Sequence, residues 1–324
     1  MRLLLALFAL IVSASAHASL PLLTFFTGTL QGETRVAGFP AVKWTLVSEN
    51  KLNGHQSATF LVNGSGLILR VKLQADLRAQ KLAWEIQEGR LSLGPWFEAV
   101  APRLPEMAHG LALTGELGIT GSGTFENNQP VGTLVLRCRD ASVRHALDGW
   151  TLDGIDFDGA FRLAPGFDLN STSPAVLTVK TITTSRFGAR NFSMTGSVVD
   201  SAQALISRAR IEIAGGEVEA IDPFTVPFAP LAIDAQLSIR RVGLQDFVAL
   251  VPSGLSSARG KLNGDLRITW SADKEFQIGK GLLALDEVEP TVIRLAASPG
   301  FLTGSMPERI QPWKGFLGRL FSFR

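Results

Sequence analysis

This sequence has little cysteine, little net charge and few long apolar runs. Each of these shortages excludes a class of protein. The 324 residues include one cysteine, Cys138, so no disulfide within the chain can staple the fold. Cys138 shares its strand parity with Leu134 and Leu136, which indicates a small buried side chain. Lys and Arg number 31 against 29 for Asp and Glu, a net charge of +2 that gives no indication of a nucleic-acid partner.

Side chains that could carry chemistry are also few. His55, His109 and His145 are isolated from one another, and the aspartates around Asp156 lack the spacing of a calcium loop. The triplet Gly121-Ser122-Gly123 does not complete the nucleophile elbow of a hydrolase. We therefore expect no catalytic residue, no metal, no cofactor and no enzymatic activity.

A short apolar run stands at the N-terminus. Arg2 precedes the run from Leu3 to Val12, and small residues follow as far as Ala16-His17-Ala18. The run has about half of the roughly 20 apolar residues that a membrane-spanning helix needs. The pattern is typical of a signal peptide over residues 1–18 with cleavage after Ala18, and a retained anchor is the alternative.

The rest of the chain is rich in period-two alternation, which predicts strands. Apolar side chains alternate with polar ones from Leu67 to Leu77, and Leu82, Trp84 and Ile86 continue the pattern. A turn is expected at Glu88-Gly89, followed by a strand that contains Leu91 and Leu93 and ends at Gly94-Pro95. A helical turn is expected within residues 96–107.

Residues 231–295 carry the cleanest alternation. Strands are predicted over 231–240, 260–270, 276–285 and 288–295, with a short helix over 244–251 between the first two. The sequence Gly279-Lys280-Gly281 predicts a bulge that moves the apolar face by one residue. No long amphipathic helix precedes the tail, so the strands should pair with sequential neighbours in a mostly antiparallel sheet.

The predicted architecture is mainly β, with residues 19–306 forming one elongated domain. A curled sheet with its apolar parity facing an open groove fits the strand count. A β-sandwich or a barrel would show the same alternation, so the pattern alone leaves these alternatives open.

The order of parts over residues 200–306 resembles the C-terminal region of the YdbH-like branch of AsmA-related proteins. A proline-punctuated lead-in (Asp222-Pro223-Phe224, Pro227, Pro230) precedes the alternating strand and short helix. The segments ARGKLNGDLRITW, IGKGLLAL and EPTVIRL follow, with Thr291 where the family pattern leads us to expect glycine.

The resemblance implies an open apolar β-groove that moves or holds phospholipid between bacterial membranes, and thus a periplasmic protein. A non-enzymatic scaffold of the cell envelope is the alternative, and an enzyme of envelope polysaccharide lacks a supporting acid pair or nucleophile. The side chains expected to line the groove and bind lipid are Leu69, Val71, Leu73, Trp84, Leu237, Ile239, Leu266, Ile268 and Trp270.

Residues 307–324 form a basic tail with helical apolar spacing. Its stripe can either cover the end of the sheet as a lid, which we favour, or dip into an anionic membrane surface. An envelope protein is a further partner that the tail could reach. The stripe consists of Trp313, Phe316, Leu317, Leu320 and Phe321.

Overall fold

A computed structural model gives the fold. It describes residues 27–35, 39–51, 55–76, 79, 81–103, 110–126, 129–185, 187–200, 202–245, 255–271, 274–286 and 292–295. The predicted signal peptide, the tail over 307–324, and residues 246–251 of the predicted short helix lie outside these residues.

Strands make up most of the described chain. In order they are β1 (Gly28–Thr34), β2 (Val42–Lys51), β3 (His55–Gly64), β4 (Leu67–Asp76), β5 (Lys81–Ser92), β6 (Leu111–Glu126), β7 (Gln129–His145), β8 (Trp150–Ala164), β9 (Asp168–Ser171), β10 (Ala175–Thr183), β11 (Gly188–Asp200), β12 (Gln203–Ile213), β13 (Gly216–Ala220), β14 (Phe224–Pro227), β15 (Ala232–Gly243), β16 (Leu255–Arg259), β17 (Lys261–Ser271), β18 (Lys274–Leu285) and β19 (Val292–Leu295). One α-helix, α1 (Leu93–Val100), and 3-10 turns at Ala101–Arg103 and Pro165–Phe167 complete the described elements.

Seventeen strands belong to one hydrogen-bonded sheet, and β16 pairs with β19 in a separate two-stranded sheet. Neighbours such as β2 and β3, β3 and β4, and β4 and β5 pair antiparallel. The prediction of a mainly β fold built on a mostly antiparallel sheet is confirmed. The described residues cluster into two compact units, the second of which holds residues 110–112, 142–156 and the described residues from 176 to 295.

The core of the first unit follows directly from the alternation in β4. Every second residue from Leu67 to Ala75 is buried. Cross-strand pairing extends each of them into a row, and one such row joins Phe60, Val71 and Ile86 on a single face. These side chains form a closely packed apolar face, which the period of two predicted.

The turn expected at Glu88-Gly89 is wrong. Strand β5 runs unbroken from Lys81 to Ser92, and its pairing with β4 shifts by one residue where Ile86 opposes Val71 and Glu88 opposes Arg70. Gln87 is therefore an extra residue in a β-bulge. Before the bulge the even-numbered residues up to Ile86 are buried, and after it the odd-numbered residues from Gly89 are buried. In the sequence pattern this change looks like a turn.

Helix α1 confirms the helical turn expected after β5, although it begins earlier than predicted. Leu93 and Gly94-Pro95 belong to the helix and do not close a strand. Proline is compatible with the first turn because the amides there have no intrahelical partner. Trp96 is buried, and its ring lies 6.3 Å from that of Phe39.

In the second unit, β12, β13, β15, β17 and β18 pair in succession. The predicted bulge in β18 is confirmed, because Leu266 pairs with Gly281 while Ile268 pairs with Ile278. Two residues of β18, Gly279 and Lys280, thus oppose one residue of β17. The bulge keeps Ile278 and Leu283 on the same face of the sheet.

Candidate functional site

One face of the second unit is apolar across five strands. Direct cross-strand pairs join Val218 to Ile239 and Leu237 to Leu266. Since paired residues point to the same side, a continuous surface results. We call it the apolar face, and its side chains are Ile211, Val218, Ile233, Ala235, Leu237, Ile239, Leu262, Leu266, Ile268, Trp270, Ile278, Leu283 and Leu285.

Exposure rises across the apolar face towards β18. Ile239 and Trp270 are buried, whereas Leu237, Leu266 and Ile268 are half-buried. For the apolar-face residues of β18, the exposed fractions are 61 % for Ile278 and 45 % for Leu283. Large apolar side chains that remain open to water in a row are a feature of binding surfaces for other apolar groups.

The opposite face of the same strands is polar and ion-paired. Arg267 donates to both carboxylate oxygens of Asp234, at 2.8 and 2.6 Å. Arg208 pairs with Glu219 at 3.1 Å, on the strands β12 and β13. The hydrogen bond from Arg267 lowers the pKa of Asp234, against the opposing effect of its partial burial. The two faces therefore differ in polarity, although the exposed Leu282 of β18 pairs with Asp265 on the polar side.

The predicted groove residues separate into two groups. Leu237, Ile239, Leu266, Ile268 and Trp270 lie together on the apolar face of the second unit. Their presence on one face follows from the register, because Leu237 pairs with Leu266 and Ile239 with Gly264. Their contact with lipid stays a prediction.

The other predicted groove residues belong to the first unit. Leu69, Val71, Leu73 and Trp84 share one face of β4 and β5, and all four are buried. The indole Nε1 of Trp84 donates to the carbonyl oxygen of Thr124 at 3.2 Å. These side chains pack against protein in this structure, and a role in lipid binding stays a prediction for them.

Three apolar side chains on β18 were missed as candidates. Ile278, Leu283 and Leu285 are exposed and extend the apolar face beyond Ile268 and Leu266. Their sequence signal is the alternation on either side of Gly279-Lys280, once the bulge between them is taken into account. The predicted tail residues Trp313, Phe316, Leu317, Leu320 and Phe321 lie outside the described residues.

Polar clusters in the first unit and near its border resolve into surface and turn structure. Asp158 pairs with Arg137 and Arg139, at 3.1 and 3.2 Å, and all three side chains are exposed. His145 is buried and stacks on Trp150 with ring centroids 5.5 Å apart. The amide of Asp148 donates to Nδ1 of His145 at 3.0 Å, so the imidazole belongs to the turn after β7.

Among the described residues, no helix has the length and hydropathy of a membrane span. The described fold and apolar face define a mainly β protein whose sheet offers a continuous apolar surface.

A family model described as "YdbH-like: Intermembrane phospholipid transport protein YdbH" matches residues 13–303. The chain belongs to the YdbH-like family, and membership implies a role in intermembrane phospholipid transport and an association with the cell envelope. Neither a curated protein nor a solved structure matches the chain significantly.

Proposed function

We propose that this protein binds phospholipid acyl chains along the apolar face and assists their passage between membranes through the periplasm. The observation that carries the proposal is the open row of apolar side chains on β18, continuous with the half-buried Leu266 and Ile268. Moving an acyl chain from a bilayer into water costs about 0.8 kcal/mol of free energy per CH₂ group. Burial against an apolar surface of the protein avoids that cost.

No covalent step is needed for such a role, so the proposed activity is binding and transfer without catalysis. The N-terminal signal peptide over residues 1–18 would deliver the protein to the periplasm. There the apolar face can accept chains while the ion-paired opposite face stays in water.

The test uses two neighbouring residues on opposite faces of β18. Ile278 pairs with Ile268 on the apolar face, and Gln277 pairs with Thr269 on the polar face. Both Ile278 and Gln277 are exposed, so aspartate at either position should leave the protein folded. The variants Ile278→Asp and Gln277→Asp therefore place the same charge on opposite faces, and only Ile278→Asp also removes an apolar side chain.

Each protein is incubated with vesicles of phosphatidylethanolamine and phosphatidylglycerol and recovered, and its bound phospholipid is quantified by mass spectrometry. We expect Ile278→Asp to lose about tenfold or more of its bound lipid, because a carboxylate would face the acyl chain. Gln277→Asp should bind as the unmodified protein does. Equal binding by both variants would argue against the apolar face as the lipid site.

A structural role in the envelope is the second candidate. The observation that favours it is the close packing of Leu69, Val71, Leu73 and Trp84 in the first unit, where apolar side chains form a core. Absence of bound phospholipid in the unmodified protein would favour this scaffold function over transport.

A further inference from the structure

The apolar face has no charged side chain at any of its directly paired positions. Besides the side chains that define the face, the pairs that join β12, β13, β15, β17 and β18 place six further residues on this side of the sheet. These are Ile213, Gly216, Ala220, Val242, Gly264 and Gly281. Within these described pairs only Trp270 carries a polar side-chain group, its indole N–H, and Trp270 is 5 % exposed. The face therefore presents no exposed polar side chain to a lipid.

The charged side chains of the same strands project from the opposite side. Leu266 pairs with Leu237 on the apolar face, whereas the next residue, Arg267, pairs with Gln236. Successive residues of a strand point to opposite faces, so the backbone of the sheet separates Arg267 from the apolar face. Arg267 there donates to both carboxylate oxygens of Asp234. Its charge is thus bound to another side chain on the polar side.

A charged cavity of the second unit also belongs to the polar side. The cavity is open and has a volume of about 760 Å³. Glu212, Glu217 and Arg240 line it, and they form one cross-strand row. The neighbouring row, which includes Val218 and Ile239, lies on the apolar face and points the other way. A lipid whose chains lie on the apolar face therefore cannot place its head group in this cavity.

A phospholipid on the apolar face must keep its head group in water. Burial of a charged or zwitterionic group among apolar side chains is strongly unfavourable, because nothing replaces its hydrogen bonds to water. Exposure of the face is greatest on β18, at Ile278, Leu283 and Leu285. The head group can remain in water on that side of the face while the acyl chains contact the apolar side chains.

We propose that the acyl chains alone determine which lipids bind the apolar face, with the head group in water beside β18. Each methylene group that leaves water contributes to binding, whereas the head group keeps its hydration and contributes nothing to the choice of lipid. The proposal rests on the proposed function, because it takes the apolar face as the site of the acyl chains. It adds the substrate class, which is diacyl lipids with an anionic head group, a zwitterionic head group or no phosphate.

The first test is isothermal titration calorimetry of the unmodified full chain with four soluble lipids, each below its micelle concentration. Dihexanoylphosphatidylglycerol is anionic, dihexanoylphosphatidylcholine is zwitterionic, and dihexanoylglycerol has no phosphate. We expect these three to bind with affinities within about threefold of one another. Dioctanoylphosphatidylcholine, the fourth lipid, should bind at least about tenfold more tightly than its dihexanoyl counterpart, because its longer chains bury more methylene groups.

The second test adds a positive charge to either face of β18. Ile278 and Gln277 are exposed neighbours on opposite faces, so Ile278→Lys and Gln277→Lys form a matched pair. We expect Ile278→Lys to shift the affinity ratio of the two dihexanoyl phospholipids by about fivefold in favour of phosphatidylglycerol, through attraction to its anionic head group. Gln277→Lys should change this ratio less. Far-ultraviolet circular dichroism checks that both variants are folded, and the first test needs no variant.

Three outcomes would overturn the proposal in distinguishable ways. A preference of about tenfold or more among the three dihexanoyl lipids would show head-group recognition while leaving acyl-chain binding intact. A ratio that a folded Ile278→Lys leaves unchanged, or that Gln277→Lys shifts equally, would contradict the position of the head group beside the apolar face. Binding of none of the four lipids would count against both this proposal and the proposed function.

Discussion

Asp234 and Arg267 connect β15 to β17 on the polar face of the second unit. The two hydrogen bonds form a fork, and this bidentate geometry is the most favourable arrangement for an arginine and a carboxylate. Both side chains are more than half exposed, so solvent screens much of their attraction. The pair therefore adds little to the free energy of unfolding, and its main effect is to keep this face of the sheet polar.

The lowered pKa of Asp234 gives a pH-dependent prediction. Because the folded pKa lies below the ordinary value of 3.8, the associated stability is present above that value and is lost as pH falls through the folded pKa. Replacing Arg267 with Gln should raise the pKa of Asp234 towards its ordinary value and slightly lower the free energy of unfolding at pH 7.

Carboxyl-carbon NMR titration of Asp234 and urea unfolding at two pH values measure these effects. Below the folded pKa, where Asp234 is protonated in both proteins, the stabilities should converge. A titration midpoint unchanged in Arg267→Gln would contradict the role assigned to the fork. The Arg70→Gln variant is the control, because Arg70 lies in the other unit.

Single residues also show why part of the site could be predicted and part could not. The shared face of Leu237, Leu266 and Ile268 follows from alternation, since strand geometry fixes side-chain direction. The difference in burial between Leu69 and Leu266 does not, because alternation is the same in a packed core and on an open surface. Burial depends on what covers each face of the sheet, which the alternation does not specify.

At the scale of elements, two bulges explain where strand prediction succeeded and failed. The bulge at Gly279-Lys280 was predicted because glycines mark it in the sequence. The bulge at Gln87 has no such marker before it, so the change of parity after Ile86 predicts a turn where the strand in fact continues. Both a turn and a bulge change which alternate residues are apolar. They are distinguished by whether the strand stays paired with the same neighbour on both sides of the change.

The bulge in β5 predicts losses of stability of different size for two single-residue deletions. Removing Gln87 would leave Glu88 opposite Arg70 and Ile86 opposite Val71, so the pairing with β4 would become regular. Removing Glu85 would shift one part of β5 by a residue and turn buried side chains such as Trp84 or Ile86 to the other face.

We expect deletion of Gln87 to lower the free energy of unfolding by about 1 kcal/mol or less. Deletion of Glu85 should cost roughly 1.5–3 kcal/mol, the free energy of burying one large apolar side chain, because the shift turns such a side chain out of the core. Urea unfolding of the full chain measures both. Similar losses in the two deletions would contradict the assigned bulge.

At the scale of the whole molecule, the fold class was accessible from the sequence because one period repeats through most of the chain. The family resemblance was carried by residues 200–306, whereas the family model matches residues 13–303. The earlier strands, such as β4 with its regular alternation, have the pattern of many sheets and so did not indicate the family by themselves. The order of segments after Asp222 is what indicated the family.

The apolar face is the surface on which we propose that acyl chains bind. Its exposed side chains, Ile278, Leu283 and Leu285, lie on β18 of a chain that belongs to the YdbH-like family.

Native mass spectrometry of the full chain, purified from a cell envelope in mild detergent, is the most direct test. We expect protein peaks with added phospholipid mass, and extraction of the same sample should yield the corresponding phospholipids. A single lipid-free mass together with an extract that lacks phospholipid would contradict it, and the apolar face would then be a packing surface of an envelope scaffold.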